Sequence, residues 1–345
     1  MALVGYCRGM FDLIGDGWIR CERGHRHWGR FGAAGLLGYA RDGTGQTQVL
    51  LQHRSMWSSH GGTWGLFGGA RRRGEPTVVA ALREAAEEST LRADMVRIRG
   101  EVRDDHGRWA YETLIGELPW RLPVEPLSYE TQAAAWVPSA AVARLDLHPG
   151  LAVSWPMLQD ALEPLVIIVD GANVVGSRAD GWWRDRAGAA ARLRDQLAAL
   201  AARGVTSLPA GVHVPPLDVW YPEIILVVEG AARSVADQAP GRPPDQAPDQ
   251  APDQAPGQAP GQAPDQAPGQ APGRPPDRAE QAPLSPVAGS VRVVAAPGSG
   301  DDTIAQLAAQ SRGNRLVVTA DRELRRRSEA AGATVTGPRW LLDML

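Results

Sequence analysis

Three glutamates stand at helical spacing in GGARRRGEPTVVAALREAAEEST, the segment from Gly68 to Thr90. Glu84, Glu87 and Glu88 occupy positions i, i+3 and i+4, which lie on one face of a helix. Like charges on one face repel one another unless a cation neutralises them, and a hard divalent ion with oxygen ligands would do so. The competing interpretation is a solvated acidic stretch on an amphipathic helix, which is common for isolated glutamate pairs.

The full spacing decides between these interpretations. Gly69, Glu75 and the run REAAEE from Arg83 resemble the Nudix box, Gx5ExxxxxxxREUxEExGU, at its first glycine and at every charged position. Phe67 stands where proline is usual, and Thr90 replaces the last glycine. These departures affect the turn and the helix end rather than the metal ligands. A motif of this length favours the catalytic interpretation.

The resemblance implies an α/β/α sandwich with a mixed sheet, which hydrolyses a nucleoside diphosphate linked to another group. By the family's pattern, Glu87 and Glu88 bind Mg²⁺ or Mn²⁺ with help from the Gly69 carbonyl. Glu84 binds metal or assists in activating water. The metal would neutralise charge on the pyrophosphate and lower the pKa of the attacking water.

Further roles follow from the same resemblance. Arg83 and Glu75 hold the loop and the helix in register as part of the catalytic machinery. A later loop often adds a carboxylate ligand, and Glu130 in YETQAAAWVP is the candidate. Glu112 in WAYETLIGEL is the second choice and is more typical of a plain strand residue. The shape resembles MutT-like nucleoside triphosphate pyrophosphohydrolases, which release pyrophosphate.

Alternating strands and helices must position these groups. The segments AAGLLGYA, TQVLLQHR, WAYETLIGEL and AAAWVP are typical of strands, and PTVVAALREAAEEST is typical of a helix that Pro76 begins. From Pro164 the pattern changes, because PLVIIVD is an apolar run typical of a central parallel strand. A helix is predicted over Arg186–Arg203. Strands and helices then alternate to the last residue, which predicts a second, parallel α/β sheet.

Acidic residues end the predicted strands of this second part: Asp170, Glu229, Asp301, Asp302 and Asp321. The carboxyl ends of parallel strands converge at one edge of a sheet, so these carboxylates are candidate metal ligands there. Two divalent ions at such an edge suit phosphodiester cleavage. Alternatively, each residue caps the helix that follows it.

The arrangement DGANVVG, VEG, DDTI and TADREL resembles the NYN branch of the PIN-like nucleases. Asp170 and Asn173 match the opening motif, Asp301 matches the D-x-x-I motif, and Asp321 matches the late strand end. Glu229 stands where aspartate is commoner. The resemblance implies Mg²⁺- or Mn²⁺-dependent RNA cleavage, with the three aspartates as catalytic residues and RNA as a partner.

The predicted organisation is an N-terminal extension over 1–29, a Nudix domain over 30–160 and a PIN-like domain over 164–345. An Ala/Pro/Gln repeat over 237–286 interrupts the second domain. It contains almost no large apolar residue, so it is predicted to be a disordered linker. The 345 residues carry 36 Lys and Arg against 39 Asp and Glu, so no overall basic excess indicates nucleic acid binding.

Cys7, Cys21, His25 and His27 form a last cluster near the N-terminus. Two thiols and two imidazoles suit tetrahedral Zn²⁺. The spacing Cys21-x3-His25-x-His27 is unusual, however, so a loop followed by a packed strand is the preferred interpretation and zinc the disfavoured one. With only two cysteines, no leader pattern and no spanning apolar run, the sequence predicts a cytoplasmic protein without membrane contact.

Three hypotheses describe the whole chain, the third being an RNA-processing nuclease whose Nudix part removes or recognises RNA end groups. In the first, an active Nudix hydrolase precedes a domain that cleaves RNA. In the second, the Nudix domain senses a nucleotide without turnover and controls the ribonuclease. The intact set of Glu84, Glu87 and Glu88 favours the first, because a pure sensor does not need it. Nothing in the sequence indicates an oligomeric state.

Overall fold

The structure is a computed structural model and describes residues 15–179, 181–236 and 289–345. The strands of the first part are β1 Trp18–Arg20, β2 Arg26–Trp28, β3 Ala33–Arg41, β4 Thr47–Arg54, β5 Trp64–Gly65, β6 Phe67–Ala70, β7 Arg97–Asp105, β8 Ala110–Glu117 and β9 Thr131–Pro138. Its helices are α1 Thr77–Glu88, α2 Ser139–Val142 and α3 Pro149–Asp160, with a 3₁₀ turn at Ala93–Met95. Residues 1–14, and Cys7 with them, lie outside the described part.

The second part has its own strands and helices. Its strands are β10 Leu165–Asp170, β11 Val219–Trp220, β12 Glu223–Val228, β13 Val291–Ala295, β14 Asn314–Val318 and β15 Thr334–Thr336. Its helices are α4 Gly171–Gly176, α5 Arg186–Arg203, α6 Gly300–Gln310, α7 Arg322–Ala330 and α8 Pro338–Leu342, with 3₁₀ turns at Trp182–Arg184 and Gly230–Val235. The predicted linker over 237–286 lies outside the described residues.

The first sheet is mixed, as the sequence predicts. Its described strands run in the order β11-β7-β8-β3-β4-β5, with β6 paired to β3 and β9 paired to β4. Strand β3 is parallel to β8 and antiparallel to β4 and β6. Strand β11 comes from the second half of the chain, so residues after 164 also contribute a strand to this sheet.

Alternation along β3 and β4 builds a core on each face of this sheet. Leu36 and Leu50 point to the face that α1 covers. Leu37, Tyr39 and Leu51 point to the opposite face, which α3 covers. Since successive strand residues face opposite sides, continuous burial of β3 follows from a sheet packed between two helical layers. The α/β/α arrangement is therefore present.

Helix α1 begins after Pro76 and ends at Ser89, whose backbone is extended. Ala80, Ala81 and Ala85 are buried against β3, β6 and β8. These small side chains bring the helix close to the sheet. The charged residues between them are therefore held next to the end of β6 rather than in open solvent.

The second sheet is wholly parallel in the described residues, with the order β13-β12-β10-β14-β15. One face packs on α5 and α8, and the other packs on α6 and α7. The chain moves outward from β10 through β12 to β13 and then crosses to β14. The order therefore reverses between β10 and β14, which is where parallel sheets place ligands.

No helix among the described residues is both long enough and apolar enough to cross a membrane.

Candidate active site

The turn from β6 into α1 brings two of the predicted metal-binding residues, Gly69 and Glu84, into contact. The Glu84 carboxylate lies against Gly69, where an added Cβ would meet Glu84 Oε2 at 2.5 Å. Only a glycine leaves room for this carboxylate beside the strand. Gly69 and Glu84 are fifteen positions apart in the sequence and are in contact because α1 folds back over β6.

Arg83 organises this turn. Its guanidinium donates to Glu75 Oε1 at 2.8 Å, to Glu75 Oε2 at 2.9 Å and to the Ala70 carbonyl at 3.1 Å. It also donates to Glu84 Oε1 at 2.7 Å and to Glu87 Oε2 at 3.2 Å. Burial would raise the pKa of Glu75, but the bonds from Arg83 and from the Arg72 amide outweigh burial and lower it. Such a fork of donors fixes loop and helix in one register.

Glu88 is the buried member of the set, at 7% exposure. Its Oε2 accepts bonds of 3.1 Å from Gln52 Nε2 and from the Gly68 amide. Burial raises the pKa of Glu88 to about 8, with the charges of Glu84 and Glu130 adding to the effect and the Gly68 bond and Arg54 opposing it. A cation beside this carboxylate would favour its charged form.

The other carboxylates differ in their surroundings. Burial raises the pKa of Glu84 as well, against the opposing charge of Arg83. Glu87 is half exposed and lies 3.6 Å from Arg72. Glu130 is exposed, and its charge reaches Glu88. Glu112 instead pairs with Arg71 and accepts a bond of 2.6 Å from Thr77, so it is engaged within the fold.

These residues fit a divalent cation. The donors are carboxylate oxygens and a backbone carbonyl, which hard cations prefer. Burial raises the pKa of Glu84 and of Glu88 against the opposing charges of Arg83 and Arg54, and a bound cation would favour the charged form of both. Glu84, Glu87, Glu88 and the Gly69 carbonyl would hold the ion, with Glu130 within electrostatic reach.

Sequence reasoning missed Gln52. This side chain is fully buried, donates to Glu88 and to the Leu66 carbonyl at 2.7 Å, and accepts a bond of 2.6 Å from Thr131. It therefore orients the buried glutamate. The available signal was its place in TQVLLQHR, where Gln52 shares the inward face of β4 with Leu50.

Apart from the glutamate site, a cleft of about 210 Å³ lies beyond the carboxyl ends of the strands of the parallel sheet. It is lined by Asp170, Asn173, Glu229, Asp301 and Asp321, among others. These side chains come from the ends of β10 and β12, from α4 and from the starts of α6 and α7. Four of the five carboxylates predicted from the sequence line this cleft, beside the point where the strand order reverses.

Helix capping also occurs in this cleft. Asp170 Oδ1 accepts from the Asn173 amide at 3.0 Å, and Asp321 Oδ1 accepts from the Leu324 amide at 2.8 Å. Asp170 Oδ2 accepts from Thr319 at 2.8 Å. Capping and cleft lining are therefore compatible in the same residues.

The charges in the cleft act on one another. Burial raises the pKa of Asp170, and the charges of Asp301 and Glu229 add to it. Burial likewise raises the pKa of Asp301, with Asp321 and Glu229 adding. Asp302 differs, because it is exposed, accepts a bond of 2.7 Å from Arg327 and does not line the cleft.

The mixed α/β sandwich, with the glutamate-bearing helix α1 on one face of its sheet, is that of a Nudix hydrolase, which acts on pyrophosphate bonds in nucleotides. The sequence matches the family profile described as NUDIX domain over residues 32–159. The chain belongs to this family, and it is an enzyme that acts on acid anhydrides in phosphorus-containing compounds. Nudix hydrolases generally use divalent metal ions, in agreement with the donors described above.

Three similar proteins illustrate the relationship. "Putative 8-oxo-dGTP diphosphatase 3" of Mycobacterium tuberculosis is 42% identical over 153 residues, which cover 43% of this chain and 70% of the relative. A "Nucleoside triphosphate pyrophosphatase/Nudix hydrolase fusion protein" of Bifidobacterium longum is 40% identical over 156 residues, covering 44% of this chain and 32% of the relative. The crystal structure of RenU, a Nudix hydrolase from M. smegmatis, is 42% identical with a TM-score of 0.40, covering 42% of this chain and 93% of that one.

Proposed function

We propose that the Nudix domain is a Mg²⁺- or Mn²⁺-dependent pyrophosphohydrolase of MutT-like type, which converts ordinary or oxidised nucleoside triphosphates to monophosphates and pyrophosphate. The observation that carries the proposal is the Glu84 carboxylate against Gly69, where Arg83 bonds to both Glu84 and Glu87 and the charge of Glu84 acts on the buried Glu88. The name of the mycobacterial relative supports the substrate class. The proposed setting is the cytoplasm.

Each residue of the proposed site has a separate role. When bound, the metal neutralises the pyrophosphate and lowers the pKa of the attacking water. Arg83 holds one oxygen of Glu84, which keeps the other oxygen beside Gly69. Burial raises the pKa of Glu84, which makes this carboxylate a stronger base towards the attacking water. Glu75 keeps Arg83 in place and does not itself face the substrate.

A substrate panel tests this proposal. Pyrophosphate and phosphate release would be measured for ordinary and oxidised triphosphates, dinucleoside polyphosphates, nucleotide sugars and capped RNA, with Mg²⁺ or Mn²⁺. We expect the highest kcat/KM for triphosphates, with pyrophosphate as product. Glu87→Gln should lose this activity while remaining folded, because Glu87 is half exposed and supplies charge to the metal rather than packing.

The panel also separates the alternative function. If the folded, metal-loaded protein binds a nucleotide and hydrolyses none, the domain is a sensor that regulates the second part of the chain. Preferred hydrolysis of a dinucleoside polyphosphate or nucleotide sugar would retain the Nudix chemistry and reject the MutT-like assignment.

A second proposed function concerns residues 164–345, for which we propose a PIN-like domain of NYN type that cleaves RNA. The supporting observation is the cleft lined by Asp170, Glu229, Asp301 and Asp321 at the reversal of strand order. Mutual repulsion among these carboxylates favours a bound divalent ion. In this proposal 237–286 is an insertion that leaves the sheet intact, since the parallel strands β12 and β13 flank it.

Two adjacent aspartates give a matched test of the nuclease. We expect Mn²⁺- or Mg²⁺-dependent cleavage of single-stranded RNA that falls by about 100-fold or more in Asp301→Asn, because one metal-facing charge is removed. Asp302→Asn should keep the activity, since that side chain pairs with Arg327 outside the cleft. Cleavage that survives Asp301→Asn, or a wild type that cleaves no RNA, would contradict an active nuclease.

A further inference from the structure

A cluster of one thiol and three imidazoles lies apart from both carboxylate sites. Cys21, His25, His27 and His106 each present a ligand atom, and these four atoms all lie within 4.8 Å of one another. Three of the residues belong to the cluster considered in the sequence. The fourth, His106, is 79 positions after His27 and could not be connected with it from spacing alone.

Two turns bring the four residues together. The β1–β2 hairpin closes through a bond of 2.9 Å from the Cys21 amide to the His25 carbonyl, and Gly24, with φ of 84°, allows the tight turn. The β7–β8 loop supplies His106 and approaches the hairpin through a bond of 3.2 Å from the Glu22 amide to the His106 carbonyl. The site is thus built from both hairpins.

Two imidazole nitrogens of the cluster are buried without a hydrogen bond within the described part of the chain. His27 Nε2 and His106 Nδ1 are buried and make no hydrogen bond in the described residues. Buried polar atoms of this kind are unusual in a native fold and indicate a missing ligand. Asp104 Oδ2 lies 3.1 Å from the opposite nitrogen of His106, Nε2. A carboxylate on one ring nitrogen leaves the other nitrogen free to bind a metal, as is common for metal-bound histidines.

Packing fixes the orientation of the ligands. The Trp109 ring stacks on His27 with centroids 3.8 Å apart and planes at 12°. Its Nε1 donates to the Trp28 carbonyl at 3.1 Å. Cys21 is buried, and its thiol is free among the described residues. Stacking and burial therefore restrict the side chains of His27 and Cys21 before any ion binds.

The chemical types of the four donor atoms favour one metal ion over others. Thiolate and imidazole ligands without a carboxylate suit Zn²⁺ better than Mg²⁺ or Mn²⁺. Tetrahedral zinc with such ligands places the donor atoms about 3.3–3.6 Å apart, so the most distant pair would approach by at most about 1.5 Å. We propose that Cys21, His25, His27 and His106 bind one Zn²⁺ ion, which fastens the β1–β2 hairpin to the β7–β8 loop.

The surroundings of the site favour a structural role for the Zn²⁺ ion over a catalytic one. The β1–β2 ladder contains only three residue pairs and forms a sheet of its own in the described residues. An isolated two-stranded hairpin is marginally stable in water. All four positions are filled by protein ligands, which is typical of a structural zinc site and leaves none for substrate.

Metal binding by the full-length, untagged protein tests the proposal. After chelation, the protein would be titrated with Zn²⁺ against a chromophoric competitor in excess Mg²⁺, which occupies the carboxylate sites. We expect one Zn²⁺ per chain with submicromolar affinity, slower hydrogen exchange in residues 18–28, and a thiolate-to-metal absorption band when Co²⁺ replaces Zn²⁺. Cys21→Ser and His106→Ala should each weaken binding by about 100-fold or more.

Matched variants decide the ligand assignment. Cys7→Ser removes the other cysteine and His213→Ala removes an exposed histidine, and both should keep binding and the cobalt band. A wild type that binds no Zn²⁺ in excess Mg²⁺, or a cobalt thiolate band that survives Cys21→Ser, would overturn the proposal. Should Cys21→Ser not fold, His25→Ala in the exposed turn carries the test, and unchanged affinity there would also overturn it.

Discussion

Replacing Glu88 by glutamine should reduce kcat/KM for the preferred nucleotide on the order of 10³-fold, which corresponds to about 4 kcal/mol of transition-state stabilisation. The substitution keeps the shape of the side chain and its place among Gln52 and the Gly68 amide. It removes only the negative charge that would face the metal. Steady-state kinetics over a range of Mg²⁺ concentrations measures the loss and shows whether metal affinity falls with it.

The same substitution should stabilise the metal-free protein at high pH. The Glu88 pKa of about 8 lies above its ordinary value of 4.5, so between these values the folded state holds a proton that the unfolded state has lost. Stability therefore falls as pH rises through this window, by at most about 1.4 kcal/mol per pH unit for one group. Glu88→Gln has no such proton and should show a shallower decline.

Urea unfolding in chelator at several pH values between 5 and 8 measures the difference between the two proteins. The comparison matters because Glu84, Asp170 and Asp301 also have raised pKa values and contribute to the slope in both. Adding Mg²⁺ should flatten the wild-type curve, since metal binding requires the charged carboxylate. Identical slopes for wild type and variant would show that Glu88 is ionised without metal and would contradict this account.

Local spacing explains what the sequence could predict. Glu84, Glu87 and Glu88 are within five positions of one another, so helical periodicity alone places them on one face. The strand TQVLLQHR is found at Thr47–Arg54 because Leu51 and its neighbours supply the buried run. The class of enzyme follows from the same local motif together with the relatives it matches.

Tertiary contacts explain what the sequence could not predict. Glu88 is buried at the end of helix α1 and accepts a bond from Gln52, which is 36 positions earlier on strand β4. The pairing of β11 with β7 joins residues more than a hundred positions apart and has no periodic signal, since β11 has only two residues. The fourth member of the Cys/His cluster is in the loop of a distant hairpin. Each of these requires the folded chain.

Alanine substitutions at two adjacent glycines should have different effects, one on the stability of the fold and the other on catalysis. Gly68 packs on β3, where an added Cβ would meet the Ala34 carbonyl oxygen at 2.4 Å and Gly35 Cα at 2.5 Å. Backbone atoms in a central sheet cannot move aside, so Gly68→Ala should lower the free energy of unfolding by about 3 kcal/mol. The Cβ of Gly69→Ala would instead meet the Glu84 carboxylate, a side chain that can rotate. That variant should remain stable and lose about 100-fold in kcat, as expected for a displacement of about 1 Å at a reacting group.

Thermal unfolding and kinetics on the three proteins distinguish the two effects, with Gly43→Ala as the control. Gly43 has no atom within 4 Å of an added Cβ, so its substitution should change neither quantity. The Gly69 carbonyl is retained in Gly69→Ala, so a selective loss of kcat would identify the position of Glu84, held by Arg83, as the feature that matters. Full activity in Gly69→Ala would show that catalysis tolerates a displaced Glu84, and the water-activating role would then belong to another carboxylate. An equal loss of stability in both alanine variants would mean that the whole β6–α1 turn, and not one carboxylate, responds to the added methyl group.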